Sequence, residues 1–337
     1  MNIGKQITRW GIIGPGSIAR SFAEGLRLIP DAVIEAVVSK SSVERARAFA
    51  EEYPVRKIYE TYEEFFADPD IDIVYIAVIN PMHKDVVLQA LDAGKPVLCE
   101  KPFALNANEV RQMIEAARAK KLFLMEAMWV RFLPAAMKLR ELLAENRIGT
   151  VKYLHVDLCL DLPDRTKRHY DLNAGGGALL DLGVYTISMA SMILGSNPVD
   201  IKSSAFIGDT GVDETSSITL RYEDGAFAVL TQSFLMESPE EIWVVGTEGT
   251  IKIKSMFIGP NELKVVKETK TTELQAAEET YLLPTVGQGH RYQAEEAARC
   301  LREGKTESEI MPLDESLRII EMMDEIRRQW GLVFPGE

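Results

Sequence analysis

The sequence predicts an α/β protein: a doubly wound parallel sheet, then an α+β domain built on a large, mostly antiparallel sheet. Three observations carry that expectation. A glycine turn, Gly14-Pro15-Gly16-Ser17-Ile18-Ala19, follows directly on the apolar run Trp10-Gly11-Ile12-Ile13. Apolar strand-like runs then alternate with helical stretches as far as Phe123-Leu124-Met125. Beyond that point the strand signals lengthen, alternate in polarity and are joined by hairpin turns. At 337 residues the length favours about two domains. They are expected at 1–124 and 125–337, with the terminal helices able to pack back on the first.

Trp10 to Ile13 reads as a short buried strand, and the G-x-G-x-x-A after it as a dinucleotide-binding turn. Gly14 permits the tight turn, Gly16 lets the backbone approach a pyrophosphate, and Ala19 lets the next helix pack on the strand. Ser17, Ile18 and Ala19 open that helix, whose N-terminus faces the anion. After a helix-like stretch from Ala23 to Leu28, Val33–Val38 is the second strand. An acidic residue at its end would bond a ribose diol and repel a 2'-phosphate. The chain has Ser39-Lys40-Ser41-Ser42 there, a hydroxyl and an ammonium that welcome this phosphate, which points to NADP over NAD. The competing reading makes Ser41 or Ser42 a helix cap and Lys40 a solvated charge.

Helices follow over Ser42–Glu52 and Tyr62–Ala67, then an apolar strand over Ile73–Val78. Next come the loop Asn80-Pro81-Met82-His83, a helix from Lys84 to Ala93, the strand Pro96–Cys99 and a helix over Ala107–Ala119. Ligands of such sheets sit beyond the carboxyl ends of the strands. Gly14–Ala19, Ser39–Lys40, Asn80–His83 and Glu100-Lys101-Pro102 all fall there.

In the second half Ser217–Tyr222 alternates in polarity, and Glu223-Asp224-Gly225 turns it into Ala226–Phe234. A second hairpin joins Glu241–Gly246 to Thr250–Met256 through Thr247-Glu248-Gly249. The resulting sheet has one covered face and one available to another chain. Leu179–Leu194 reads as a helix stopped by Gly195, and helices near Arg291–Glu303 and Leu313–Trp330 close the chain. The polar stretch Asp161–Arg168 is either a lid or an ordinary exposed loop.

With 46% hydrophobic residues the chain can bury ordinary cores. A net charge of -13 argues against a nucleic-acid partner. Cys99, Cys159 and Cys300 lie in apolar or helical contexts that suit buried thiols in a reducing compartment, and no pair has metal-ligand spacing. Met1–Trp10 carries no apolar stretch, so no signal peptide is expected, and the apolar runs look too short to span a bilayer. A cytoplasmic protein without a membrane partner is the expectation.

The glycine turn, Glu100-Lys101-Pro102, Met125-Glu126-Ala127-Met128-Trp129-Val130-Arg131-Phe132 and the Gly175–Tyr185 segment together resemble the Gfo/Idh/MocA oxidoreductases. The resemblance is strongest to the branch of dimeric dihydrodiol dehydrogenases and NADP-dependent xylose dehydrogenases. The tail segments Glu295–Leu301 and Met311–Ser316 fit it too, so nearly the whole chain is covered. It implies a Rossmann domain, an NADP cofactor and a small carbohydrate or diol substrate. Lys101 matches the family's catalytic lysine, before a Pro102 whose peptide bond is often cis. Asp181 and Tyr185 match the helix pair facing the nicotinamide, where many relatives have His in place of Tyr185. Trp129 and Arg131 match residues lining the cofactor and substrate cleft. Asn80 and His83 match the loop beside the nicotinamide ribose, and Glu100 belongs to the same cofactor edge. Relatives keep a Pro-Asp-Arg element similar to the one here, which points to Arg168 or Arg165 as a substrate contact. A homodimer, or a dimer of dimers, through the exposed sheet face is also implied.

Spacing i, i+4 puts Asp181 and Tyr185 on one helical face, and Gly183 removes bulk so that a ligand could come close. A free tyrosine titrates at about 10. An ammonium nearby, from Lys101, favours the phenolate. Tyr185 then takes a hydroxyl proton while hydride leaves for the nicotinamide, and Asp181 orients the substrate hydroxyl or holds the lysine. From the residues alone Lys101 could be solvated, and Tyr185 a core aromatic bonded to a carbonyl. A buried Asp181 is harder to explain away. Met125 and Met128 read as packing residues, His155 as a strand residue, and His169 and His290 as residues of loops that could reach the cleft but are not assigned to catalysis. Scattered histidines give no metal site. Two other functions compete: a non-catalytic NADP-binding regulator, and a glycosidase using nicotinamide for transient oxidation.

Overall fold

The computed structural model describes residues 7–254, 262–267 and 277–337. Its first elements are β1 (Thr8–Ile13), α1 (Ser17–Arg27), β2 (Ala32–Val38), α2 (Val43–Glu52), β3 (Val55–Tyr59) and α3 (Tyr62–Ala67). Then follow β4 (Ile73–Ile76), α4 (His83–Asp92), β5 (Val97–Glu100), α5 (Ala107–Lys120) and β6 (Leu124–Ala127). The later chain gives α6 (Pro134–Ala144), β7 (Val151–Cys159), α7 (Val184–Leu194), β8 (Asp200–Ile207), β9 (Asp213–Arg221) and β10 (Phe227–Ser233). It ends with β11 (Glu241–Gly246), β12 (Thr250–Lys254), β13 (Glu262–Lys267), β14 (Ala277–Leu282), α8 (His290–Arg302) and α9 (Leu313–Trp330). Two compact units result: Met1–Trp129 with Gly287–Leu317, and Val130–Val286 with Arg318–Glu337.

The first unit is a parallel six-stranded sheet in the order β3-β2-β1-β4-β5-β6. The doubly wound sheet read from the sequence is therefore present. Its order reverses between β1 and β4, the crevice where such sheets take ligands. The first helix begins at Ser17, earlier than its visible apolar face. Strand β3 was not anticipated, because Val55-Arg56-Lys57-Ile58-Tyr59 carries too little apolar signal. It is an edge strand whose Arg56 and Lys57 pair with the buried Glu35 at 3.0 and 3.2 Å. Under the sheet Trp10 meets Phe22 edge-on at 5.1 Å, and Phe22 stacks on Tyr75 at 3.8 Å. Helix α8 crosses α1 at Gly25, where a Cβ would lie 2.8 Å from the Arg291 nitrogen. His290 is the first residue of that helix and not a loop residue.

The second unit holds an eight-stranded sheet in the order β14-β13-β12-β11-β7-β10-β9-β8. Among the described residues its ladders are antiparallel except β7 with β10. Both expected hairpins form; of the strand expected over Thr250–Met256, Ser255 and Met256 lie outside the described residues. One face buries Leu154, Val156, Leu220, Leu230, Ile242 and Val244, with α7 packed against β7 and β10. The other leaves Tyr153, Phe227 and Trp243 exposed. Helix α6 and the half-exposed edge strand β8 were not anticipated. The helix read over Leu179–Leu194 is two pieces, a wide π-type turn at Leu179–Gly183 and then α7. One expectation is corrected here: Leu172–Leu194 is long and apolar enough to cross a membrane. Its most apolar window is 83% buried, as in the core helix of a folded unit.

Phe22→Ala removes a fully buried ring from between two aromatic neighbours. It is expected to cost about 3–5 kcal/mol of stability, read as a lower urea midpoint.

Candidate active site

In the first unit the carboxyl ends of the strands bring together five segments. Gly14 takes φ +81, and a Cβ there would lie 2.7 Å from the Ala77 carbonyl oxygen. The turn is pinned by Gly14 N–H to Val38 O at 3.2 Å and by Gly16 N–H to Gly14 O at 2.7 Å. Helix α1 then starts with no side-chain cap, and a Cβ on Gly16 would meet only the Gly14 carbonyl, at 4.0 Å. Amides at an open helix end with clear space before them fit a pyrophosphate. Ala19 is fully buried under the sheet, while Ser17 is exposed and Ile18 half-buried.

At the end of β2, Ser39 is buried with its Oγ 3.3 Å from that of Ser41. The Lys40 ammonium is exposed, 5.7 Å from the centre of the Tyr62 ring. Ser42 stands at the N-cap of α2 without a capping bond; its hydroxyl donates to Glu44 at 2.7 Å. Beyond β4, Asn80 is buried in a short 3-10 turn. His83 is fully buried, with Nδ1 2.9 Å from Pro102 O and Nε2 3.1 Å from Val78 O. It thereby ties the ends of β4 and β5 together. Glu100 is buried and accepts from the Tyr75 hydroxyl at 2.5 Å and from the Lys101 N–H at 3.3 Å. Lys101 is half-buried and the Lys101–Pro102 peptide is cis.

Trp129 closes the β6 end, its ring 4.9 Å from that of His290. Burial, and then the Lys101 ammonium, lower the His290 pKa to about 4, so its ring is neutral at ordinary pH. Sequence reasoning set His290 aside; its place beside Trp129 and Lys101 depends on α8 crossing α1, a contact no local pattern announces.

In the second unit Asp181 sits in the wide turn, with Arg168 Nη2 3.3 Å from Oδ1 and His169 Nε2 3.5 Å from Oδ2. Tyr185 lies in the first turn of α7 and is buried. The wide turn means that the i, i+4 pair is not spaced by ordinary α-helical geometry. Gly183 opens no space for a ligand: a Cβ there would lie 2.9 Å from Leu179 Cδ1 and 3.4 Å from the Gln232 carboxamide carbon. Its lack of bulk serves packing. Arg131 is fully buried, donating to Ser188 Oγ at 2.8 Å and Ser188 O at 2.6 Å, so it anchors α7. Arg165 forms a two-pronged pair with buried Glu214 at 2.6 and 2.7 Å. His169, also set aside from the sequence, is in a 3-10 turn beside Asp181.

The profile of the oxidoreductase family with an NAD-binding Rossmann fold (GFO_IDH_MocA) matches residues 8–128, and the GFO/IDH/MocA C-terminal domain matches 136–252. The trans-1,2-dihydrobenzene-1,2-diol dehydrogenase of Danio rerio is 40% identical over 97% of this chain and 98% of its own length. The chain belongs to the Gfo/Idh/MocA oxidoreductase family. The family resemblance read from the motifs is thus correct, and with it the nicotinamide-dinucleotide fold. Among solved structures, the 3-ketoreductase KijD10 of Actinomadura kijaniata, in complex with NADP and TDP-benzene, is 25% identical with a TM-score of 0.82. That match covers 96% of this chain and 98% of the other. A levoglucosan dehydrogenase in complex with NADH shares the fold at 20% identity and a TM-score of 0.88, over 97% of each chain.

The depressed His290 pKa has a consequence for stability. The folded value lies below the unfolded 6.5, so the unfolded chain binds the extra proton first. This contribution is complete above about 6.5 and is lost as pH falls toward about 4. Urea midpoints measured across that window are expected to fall less steeply in His290→Gln than in the parent.

Proposed function

We propose that this chain is an NADP-dependent dehydrogenase, or reductase, of sugars, vicinal diols or cyclic polyols. The observation that carries the substrate class is the full-length likeness to dihydrodiol dehydrogenases. The choice of NADP rests on the end of β2, where Ser39 and exposed Lys40 stand in place of a carboxylate. The NADH-bound relative of the same fold shows that fold alone does not decide it.

When bound, the nicotinamide supplies a hydride acceptor or donor. Gly14, Gly16, Ser17, Ile18 and Ala19 hold the pyrophosphate, and Ser39 with Lys40 holds the 2'-phosphate. Asn80, His83, Glu100, Trp129 and Arg131 shape the nicotinamide end, the last by anchoring α7. Tyr185 removes the hydroxyl proton as the carbon gives up hydride, and returns it in the reverse direction. Lys101 is the proposed source of the positive charge that this phenolate requires. Asp181 orients the substrate hydroxyl, with Arg168 holding Asp181 at 3.3 Å; Trp129 and Arg168 are also proposed to face substrate. Three buried free thiols fit a reducing, cytoplasmic setting. Exposed Tyr153, Phe227 and Trp243, neighbours across β10, β7 and β11, support a homodimer or dimer of dimers through the outer sheet face.

Purified protein mixed with NADP or NAD and a panel of pentoses, hexoses and cyclic diols is expected to reduce NADP preferentially. Lys101→Ala and Tyr185→Phe are each expected to lower kcat on the order of 10²–10⁴-fold, and the double variant little further. Lys40→Ala is expected to raise KM for NADP and leave that for NAD unmoved. Tight NADP binding without turnover on any polyol would make the protein a regulator instead. Retained cofactor without net NADPH turnover, together with glycoside cleavage, would make it a glycosidase. Phe227→Glu is expected to shift sedimentation toward the monomer.

A further inference from the structure

We propose that Asp213 is a positioning residue for Asp181 and Tyr185: its carboxylate grips the first amide of the wide turn and so sets the direction of Asp181 within the turn and of Tyr185 in the helix that follows. Asp213 opens β9 and is buried. Its Oδ2 accepts the Leu179 N–H at 2.7 Å. Leu179 is the first residue of the π-type turn Leu179–Gly183, which carries Asp181 at its centre and runs straight into α7 with Tyr185. Wide turns of this kind are rare single-turn interruptions of α-helices and frequently lie at functional sites. A second contact comes from just upstream. Gly177 takes φ +113, and a Cβ there would collide with the Asp213 carboxylate. Its carbonyl accepts the Asp181 N–H at 3.1 Å. Asp213 therefore abuts Gly177, which holds the Asp181 backbone, and bonds Leu179, where the turn begins. The inference rests on the reading of Asp181 and Tyr185 given above.

The surroundings make this grip sensitive to pH. Burial raises the Asp213 carboxyl to about 7, opposed by the Leu179 amide, by its own amide and by the Arg327 guanidinium. Arg327 is itself paired with Asp324 at 2.8 Å and Glu337 at 2.7 Å. The adjacent Glu214 is taken by Arg165, and Asp181 faces Arg168 and His169. An ionised carboxylate is the stronger acceptor, so the hold on Leu179 tightens as pH rises through about 7.

The experiment compares the parent, Asp213→Asn, Asp213→Ala and Tyr185→Phe as full chains, by steady-state rates from about pH 5.5 to about 8.5 with NADP and the best-used substrate of the panel above and by NADPH binding. Asp213→Ala is expected to lose on the order of a hundredfold in kcat, with NADPH affinity and the cofactor KM unmoved. Asp213→Asn keeps the volume and an acceptor oxygen, so it is expected to fold and to retain more of kcat than the alanine variant. It should also lack the rise in kcat near pH 7 that the parent shows. If Asp213→Ala fails to fold, Asp213→Asn decides the matter alone. A parental kcat and pH profile in Asp213→Asn would overturn the proposal, whatever the alanine variant does. Full activity in Tyr185→Phe would instead overturn the assignment of the catalytic pair, a different outcome read from a different variant.

Discussion

The cofactor edge of the first unit depends on one close approach, that of the Gly14 backbone to the carbonyl of Ala77. Strand order reverses between β1 and β4, so the chains leaving these two strands part on opposite sides of the sheet. Where they part, no side chain can stand between them. Any Cβ at Gly14 would push the two loops apart, and φ +81 would strain it besides. With the turn closed down, α1 starts with its amides aimed outward and Ala19 flush against the sheet. The same economy holds further along the edge. His83 reaches back to the Val78 carbonyl and forward to the Pro102 carbonyl, so the β4 and β5 loops are fixed to one ring. Glu100 meets Tyr75 on the underside, and Tyr75 stacks on Phe22 of α1. A chain of contacts thus runs from the glycine-turn helix to the residue before Lys101.

The second unit solves a different problem, how to keep charged side chains inside an apolar unit. A buried ion costs free energy unless its hydrogen bonds are met. Arg131 spends its guanidinium on Ser188, one turn beyond Tyr185, and so pins α7 from below. Glu214 is held by both prongs of Arg165. Asp213 meets a backbone amide. Of these polar contacts, the one from Asp213 fixes the start of the wide turn and the one from Arg131 fixes the helix after it, which apolar packing, being non-directional, does not do as well.

How much of this could be read from the sequence follows from the range of each interaction. The parallel sheet was legible because its strands are buried on both faces and read as unbroken apolar runs, as in Ile73–Ile76. The β9–β10 hairpin was legible because Gly225 takes a positive φ of 82 that a glycine turn signal announces locally. Edge strands β3 and β8 were missed because solvent on one side lets them carry charges and serines. The family motifs made Lys101, Asp181 and Tyr185 visible. What no motif gave was the partner set. His169 and Arg168 reach Asp181 through a loop, and His290 reaches Trp129 from the far end of the chain. Gly183 was misread for the same reason, since only the fold shows that Leu179 and Gln232 fill the gap.

The placement of Asp181 also bears on which carboxylate or phenol does which task. Two cationic or potentially cationic side chains, Arg168 and His169, stand over its two oxygens at 3.3 and 3.5 Å. Contacts of that kind hold a carboxylate in one orientation as a fixed acceptor. A group so engaged is well placed to accept a hydrogen bond from a substrate hydroxyl and poorly placed to swing and carry a proton away. Tyr185 is buried on the more regular helix that follows and carries a single ionisable oxygen. On the proposed chemistry, then, orientation falls to the carboxylate and proton transfer to the phenol. The wide turn carries Asp181, held by Arg168 and His169, and leaves Tyr185 to the helix that follows.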